Sequence, residues 1–208
     1  MTPQQVYGFV GANSSTFLSC DPTMAPDGGV DLVNLGLSGE TVQQVSTDTT
    51  NTGGPYGNGV DLSAMVSFIA NSPVGVMPVI SFWEGTNDLN GGTTGAALLG
   101  YYESVINYVR SHASKPFKML CFTEIDRYIF DGPGVVYETN QNIFNAGLRA
   151  NYSAYCDALY DLGANPHLGC SGCAATFPNL YFQDAAHPTV YAHANEIAPA
   201  WIPIVLGL

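Results

Sequence analysis

Residues 75–90 read GVMPVISFWEGTNDLN. From 75 to 83 the run is apolar apart from Ser81, too short for a helix buried on all sides and rich in strand-forming residues. It reads as a strand covered on both faces, the signature of a parallel sheet rather than of a half-exposed antiparallel one. The polar loop that follows, Gly85-Thr86-Asn87-Asp88, then falls at the carboxyl end of that strand. In open parallel sheets this is where ligands bind.

Working outward, the same alternation recurs. QVYGFV (5–10) and VDLVNLG (30–36) are short β-rich runs, and PFKMLCFTEI (116–125) is a second buried strand. Between them, DLSAMVSFIANS (61–72) has an Asp N-cap candidate and helical spacing of Leu62, Met65, Val66 and Ile69. GAALLGYYESVINYVRSHA (95–113) predicts a long amphipathic helix. ETNQNIFNAGLRANYSAYCDALYDLG (138–163) predicts the longest one, and the tail from Pro188 to about Leu206 a last helix beginning at that proline. Strand and helix in alternation imply an α/β fold: a three-layer α/β/α arrangement with a flavodoxin-like parallel sheet and helices on both faces. No repeat, linker or low-complexity stretch interrupts it, so residues 1–208 are expected to form one domain.

Composition narrows the function. Five Lys and Arg against seventeen Asp and Glu give a net charge of -12, which repels phosphate backbones and anionic membranes and excludes a nucleic-acid partner. No stretch approaches the ~20 apolar residues that span a bilayer. The first residues, MTPQQVYGFV, contain no signal peptide in the chain as given. Few lysines and abundant Thr, Asn, Gly and Tyr lean toward an extracellular or virion-associated setting. Of the five cysteines, only Cys170 and Cys173 have recognisable spacing, and a local disulfide or two idle thiols pinning a Gly-rich loop are expected. Cys121 and Cys156 read as small core residues. No second Cys or His pair is placed for a metal, so neither metal nor cofactor is expected.

Four polar loops stand at equivalent strand ends: GANSST (11–16), GLSGET (36–41), WEGTNDLN (83–90) and, before the last helix, DAAHP (184–188). In this order they resemble the blocks of the SGNH (GDSL-like) hydrolases. NLGLSGET (34–41) is similar to the second block with Gly39 as its glycine, GTND to the third with Asn87, and DAAHP to the fifth with its Asp-x-x-His. The first block departs from the family's Gly-Asp-Ser: aligning Thr16 with the following Thr puts Ser14 at the nucleophile and Asn13 at the aspartate, with Ser15 as competitor. The resemblance implies a serine ester hydrolase working without metal.

The chemistry fits those residue types. A serine hydroxyl needs a base, and His187 could serve; the base needs a carboxylate on its other ring nitrogen, and Asp184 could reach it if the intervening residues turn. Charge growing on the ester carbonyl needs donors, and the N–H groups of Ser14 and Gly39 with the Asn87 amide could converge there. A Cβ at position 39 would hinder the approach of substrate. The resemblance covers acetyl esterases, lipases and thioesterases, and a compact chain, polar on its surface and without a long apolar lid, leans toward small-acyl (acetyl) esters of carbohydrates. Lipase or thioesterase action on longer chains, or a non-catalytic glycan-binding module, are the alternatives. A nucleotide site is disfavoured because GLSGET lacks a phosphate-loop lysine.

Plainer readings stand beside these. Ser14 and Ser15 could cap a helix, Gly39 could be a turn glycine, and Asn87-Asp88 a loop pair. His112 and His167 read as caps at helix ends and His193 as a surface or packing residue. Glu40, Glu84 and Asp88 could shape substrate preference, or stand as solvated loop charge. Trp83 and FPNLYF (177–182) could line a substrate wall or pack in the core.

Overall fold

The structure, a computed structural model, describes residues 5–10, 31–34, 39–47, 62–128 and 134–208. Five strands, β1 (Gln5–Val10), β2 (Asp31–Asn34), β3 (Met77–Phe82), β4 (Lys118–Phe122) and β5 (Ala158–Tyr160), form one sheet in the order β2-β1-β3-β4-β5. Every neighbouring pair is parallel, with Val6 beside Asp31, Gly8 beside Ile80, Ser81 beside Leu120 and Cys121 beside Leu159. This is the flavodoxin-like strand order expected from the sequence.

Successive residues of β3 and β4 point to opposite faces, and each face has its own core. Ile80, Phe82, Met119 and Cys121 pack under α1 (Val42–Thr47), α2 (Leu62–Asn71), α4 (Gly95–His112) and α5 (Gly134–Asn151), with α3 (Thr86–Asn90) a short turn between β3 and α4. Val79, Leu120 and Phe122 meet the C-terminal segment, where α6 (Val190–Ala192) runs through a π-helical turn (His193–Ile197) into α7 (Ala198–Leu206). The two faces make three layers. α4 buries Leu98, Tyr102, Val105, Ile106 and Val109, the 3–4 spacing of an amphipathic helix, and Thr94 caps it by accepting the Ala97 N–H at 3.2 Å. Each such fully buried side chain contributes about 1.5–3 kcal/mol. On the opposite face Trp201 of α7 donates its indole N–H to Ser81 Oγ at 3.1 Å, which satisfies the one polar residue of the β3 run.

Three expectations are corrected. The helix predicted over 138–163 starts earlier, at Gly134, and ends at Asn151; residues 158–160 are instead the edge strand β5. Ala158-Leu159-Tyr160 is apolar enough for either state. What decides is Asp157: its carboxylate accepts the Met119 N–H at 2.8 Å, its own N–H donates to the Met119 carbonyl at 2.8 Å, and Arg110 and Lys118 hold it in place. Cys121 and Cys156 are buried as expected but are bonded to each other, which pins the same edge, while Cys170 and Cys173 form the local disulfide. The last helix begins at Val190, not Pro188: Thr189 is the cap, accepting the Ala192 N–H at 3.1 Å, and Pro188 pairs with Phe182 in an antiparallel bridge.

Candidate active site

The carboxyl end of β3 delivers the first part of the site. The chain leaves the strand through Gly85 at φ 137°, and a Cβ there would lie 2.8 Å from Leu98 Cδ2 and 3.1 Å from a Glu124 carboxylate oxygen. Both the backbone and the space demand glycine. Asn87 follows in the first turn of α3. Its Nδ2 donates to the Glu40 carbonyl at 2.9 Å and its Oδ1 accepts from Arg127 Nη1 at 3.3 Å. A carbonyl can only accept and a guanidinium can only donate, so the two partners fix which way the amide faces. One Nδ2 hydrogen remains outside the Glu40 bond.

Beside it, Gly39 has φ 84°, the left-handed region. Among the described residues nothing lies within 4 Å of a Cβ built there. The positive φ calls for glycine here, and the space beside it is open. Thr41 caps α1 by accepting the Gln44 N–H at 3.1 Å. Asp88 ties the two loops together: its carboxylate accepts the N–H groups of Val42 at 2.7 Å and Gln43 at 3.1 Å across 46 and 45 residues of chain. Asp88 acts on the amino end of α1 as a cap supplied from elsewhere.

Asp184 and His187 meet as the sequence required. His187 Nδ1 lies 2.9 and 2.8 Å from the two Asp184 oxygens. Asp184 Oδ1 also accepts the N–H groups of Ala186 at 2.9 Å and His187 at 2.8 Å, an Asx turn that folds the loop back on itself. The loop is the tip of a tight return: Gln183 N–H donates to the His187 carbonyl at 3.0 Å and Thr189 N–H to the Tyr181 carbonyl at 2.8 Å. Burial alone would raise the Asp184 carboxyl. The Ala186 N–H, the His187 ring and the His187 N–H outweigh it and hold the carboxyl below the usual range. An ionised Asp184 keeps the imidazole hydrogen on Nδ1, which makes Nε2 the proton-accepting nitrogen.

The loop after β4, Thr123–Tyr128, carries no motif in the sequence, although it too stands at a strand end. Arg127 reaches Asn87 and lies 3.5 Å from both the carbonyl and the hydroxyl of Thr86, while the Tyr128 N–H donates to the Ala185 carbonyl at 2.8 Å. Adjacent residues thus touch the Asn87 loop and the loop of Asp184 and His187. A basic residue at a strand end, in a chain with only five Lys and Arg, was the signal available.

Ser14, Ser15 and Asn13 lie outside the described residues. His112 meets the Tyr108 carbonyl at 2.9 Å in the last turn of α4. His167 pairs with Glu196 at 3.1 Å, a carboxylate rather than the helix end expected, and His193 is exposed. Trp83 is half-buried and stacks on Phe122 at 5.6 Å.

The acidic residues read as solvated are not. Glu84 is 2% exposed, Asp88 2%, Glu40 7% and Glu124 1%. Burial pushes Glu124 up to about 8, helped by the Asp88 charge and opposed by Arg127. Glu84 stands well above the ordinary range, from burial and then from Glu124, Glu40 and Asp88. Asp88 is raised by burial against the pull of the Val42 and Gln43 N–H groups. Among the described residues no group of three or more His, Cys, Asp or Glu side chains is arranged to hold a metal ion, and no helix is long and apolar enough to cross a membrane.

A five-stranded parallel sheet with these loops at its carboxyl ends is the fold of the GDSL/SGNH lipolytic hydrolases. In particular, the chain is similar to the aryl esterase of M. smegmatis, at TM-score 0.59 and 16% identity over 99% of each chain. It resembles a GDSL-like lipase from Bacteroides thetaiotaomicron, at 0.60 and 19% over 98% of this chain and 88% of that one. A lipolytic G-D-S-L family member from Veillonella parvula gives 0.58 and 12% over 99% and 100%. No protein-family model matches the sequence, and no curated relative does.

Proposed function

We propose that the chain is a serine ester hydrolase in which Ser14 attacks, His187 is the base and Asp184 orients it. The observation that carries this reading is the Asp184 carboxylate on His187 Nδ1, at 2.8 and 2.9 Å, in a loop folded to hold it there. Ser14 Oγ bonds to the ester carbonyl carbon as His187 Nε2 takes its proton. The tetrahedral oxyanion is met by the N–H groups of Ser14 and Gly39 and by the Asn87 amide. Collapse expels the alcohol, which takes the proton from His187 and leaves an acyl-Ser14 ester. Water, deprotonated by His187, then releases the acid and restores the serine.

Small-acyl esters of carbohydrates are the preferred substrate, supported by a chain with few charged residues, 11%, and many uncharged polar ones. Longer acyl chains are the second reading, favoured by Leu180, Val190 and Tyr191, exposed by 53%, 84% and 44% on the segments flanking the Asp184–His187 loop. The test is a panel of p-nitrophenyl esters from acetyl to long-chain, with acetylated sugars alongside and fluorophosphonate labelling read by mass spectrometry. Turnover greatest on acetyl esters and an adduct on Ser14 are expected, with Ser14→Ala inert and Ser15→Ala active. An adduct on Ser15 would reassign the nucleophile. Turnover no higher than in heat-killed protein would leave a glycan-binding module.

A further inference from the structure

We infer that Arg127 is a positioning residue for the Asn87 amide, an inference that rests on the esterase reading above. An asparagine that donates to an oxyanion has two ways to face, and only one presents hydrogen. Here one Nδ2 hydrogen is spent on the Glu40 carbonyl at 2.9 Å, and the Oδ1 is taken by Arg127 Nη1 at 3.3 Å. Turned over, the amide would set its oxygen against the Glu40 carbonyl and its NH₂ against a guanidinium, two mismatches at once. Arg127 therefore selects the orientation in which the second Nδ2 hydrogen is offered outward. A charged donor on Oδ1 also polarises the amide and strengthens its remaining N–H.

The surroundings make the cation necessary. Glu40, Glu84, Asp88 and Glu124 crowd the same loop, and Arg110, Lys118 and Arg149 are committed to Asp157 and Asp161 at the far edge of the sheet. Lys115 donates to the Ser72 carbonyl, at the other end of β3. Arg127 is the basic side chain that reaches the Asn87 loop. Its own backbone is held from both sides: Asp126 N–H donates to the Leu168 carbonyl and Tyr128 N–H to the Ala185 carbonyl, each at 2.8 Å. The guanidinium is thus delivered by a fixed segment, as a positioning role requires.

The experiment is a double-mutant cycle with Asn87→Ala and Arg127→Met on the best p-nitrophenyl ester, after wild-type turnover and fluorophosphonate labelling have been established. Arg127→Met should lower kcat by about 10- to 100-fold with KM within about twofold. In the Asn87→Ala background the same change should cost less than about threefold, because the group it positions is gone. Equal losses in both backgrounds, a loss confined to KM, or an unchanged kcat would each overturn the inference while leaving the esterase reading intact. Should Arg127→Met lack a cooperative melt, Arg127→Lys takes its place. It keeps the charge but not the reach, and is expected to lose about 3- to 10-fold in kcat with the same dependence on Asn87. A wild-type chain that neither turns over nor labels removes the esterase reading, and this one with it.

Discussion

Replacing Glu124 by Gln should stabilise the protein in alkali relative to acid, and by an amount the structure specifies. Glu124 is 1% exposed, and its backbone is gripped by α5: Asn145 Oδ1 accepts its N–H at 2.8 Å, while Asn145 Nδ2 and Gln141 Nε2 donate to its carbonyl at 2.8 and 3.0 Å. None of these contacts involves the carboxyl, so the substitution leaves them in place. Burial first, then the Asp88 charge, lifts that carboxyl from 4.5 to about 8 against the opposing pull of Arg127. A carboxyl raised on folding holds its proton more tightly folded than unfolded. Its contribution is therefore full below pH 4.5 and is lost as pH climbs to about 8. Each pH unit in that window costs about 1.4 kcal/mol. Gln does not titrate, so the stability difference between variant and wild type should move by roughly 4 kcal/mol in favour of Gln between pH 5 and pH 8. Urea melts at several pH values read this directly, as a midpoint shift of the order of 1 M or more for a slope of about 3 kcal/mol per M. A difference that stays constant with pH, or that moves against Gln, would refute the reasoning.

Asp184→Asn should lower kcat by about 10⁴-fold with an unchanged melting temperature, because the amide favours the wrong imidazole tautomer; steady-state rates and a thermal melt check both halves. Asn87→Ala should lose about 100-fold or more in kcat with little change in KM. Asp184 is held below the usual carboxylate range, so it stays ionised through mildly acidic and neutral pH, and kcat/KM should show no step from its protonation there. A profile peaking below about pH 5 would point to a carboxylate base instead. Asp88→Ala strips two partners from the amino end of α1 and should cost about 2 kcal/mol or more, seen as a lower urea midpoint at constant slope.

The α/β class, four of the five strands and the Asp184–His187 pairing were legible in the sequence, because each is carried by a local pattern: apolar runs of strand length, helical spacing, and two residues that a turn can bring together. What escaped depends on contacts between distant parts of the chain. β5 has no periodicity of its own and becomes a strand because Asp157 and Cys156 fasten it to β4. Glu84 and Asp88 look like ordinary loop charge until α4, α5 and α1 close over them. Arg127 was passed over because its loop contains no glycine and no motif, and its importance comes from which amide lies across from it. Pro188 has the signature of a helix start, because proline commonly is one, yet the antiparallel bridge to Phe182 claims it first.

The Cys121–Cys156 bond encloses a sequence separation of 35 residues, and the segment inside it holds the Arg127–Tyr128 loop and all of α5. Closing a loop of that size restricts the unfolded chain by roughly 4 kcal/mol in the chain-entropy picture. A preparation made in a reducing cytoplasm would therefore mix chains with this bond closed and chains with it open, two hydrogens apart at this pair. They would melt apart and show different specific activities until reoxidised. Batch-to-batch variation in rate would then report the redox history of the sample, and thiol titration should precede any kinetic comparison between variants.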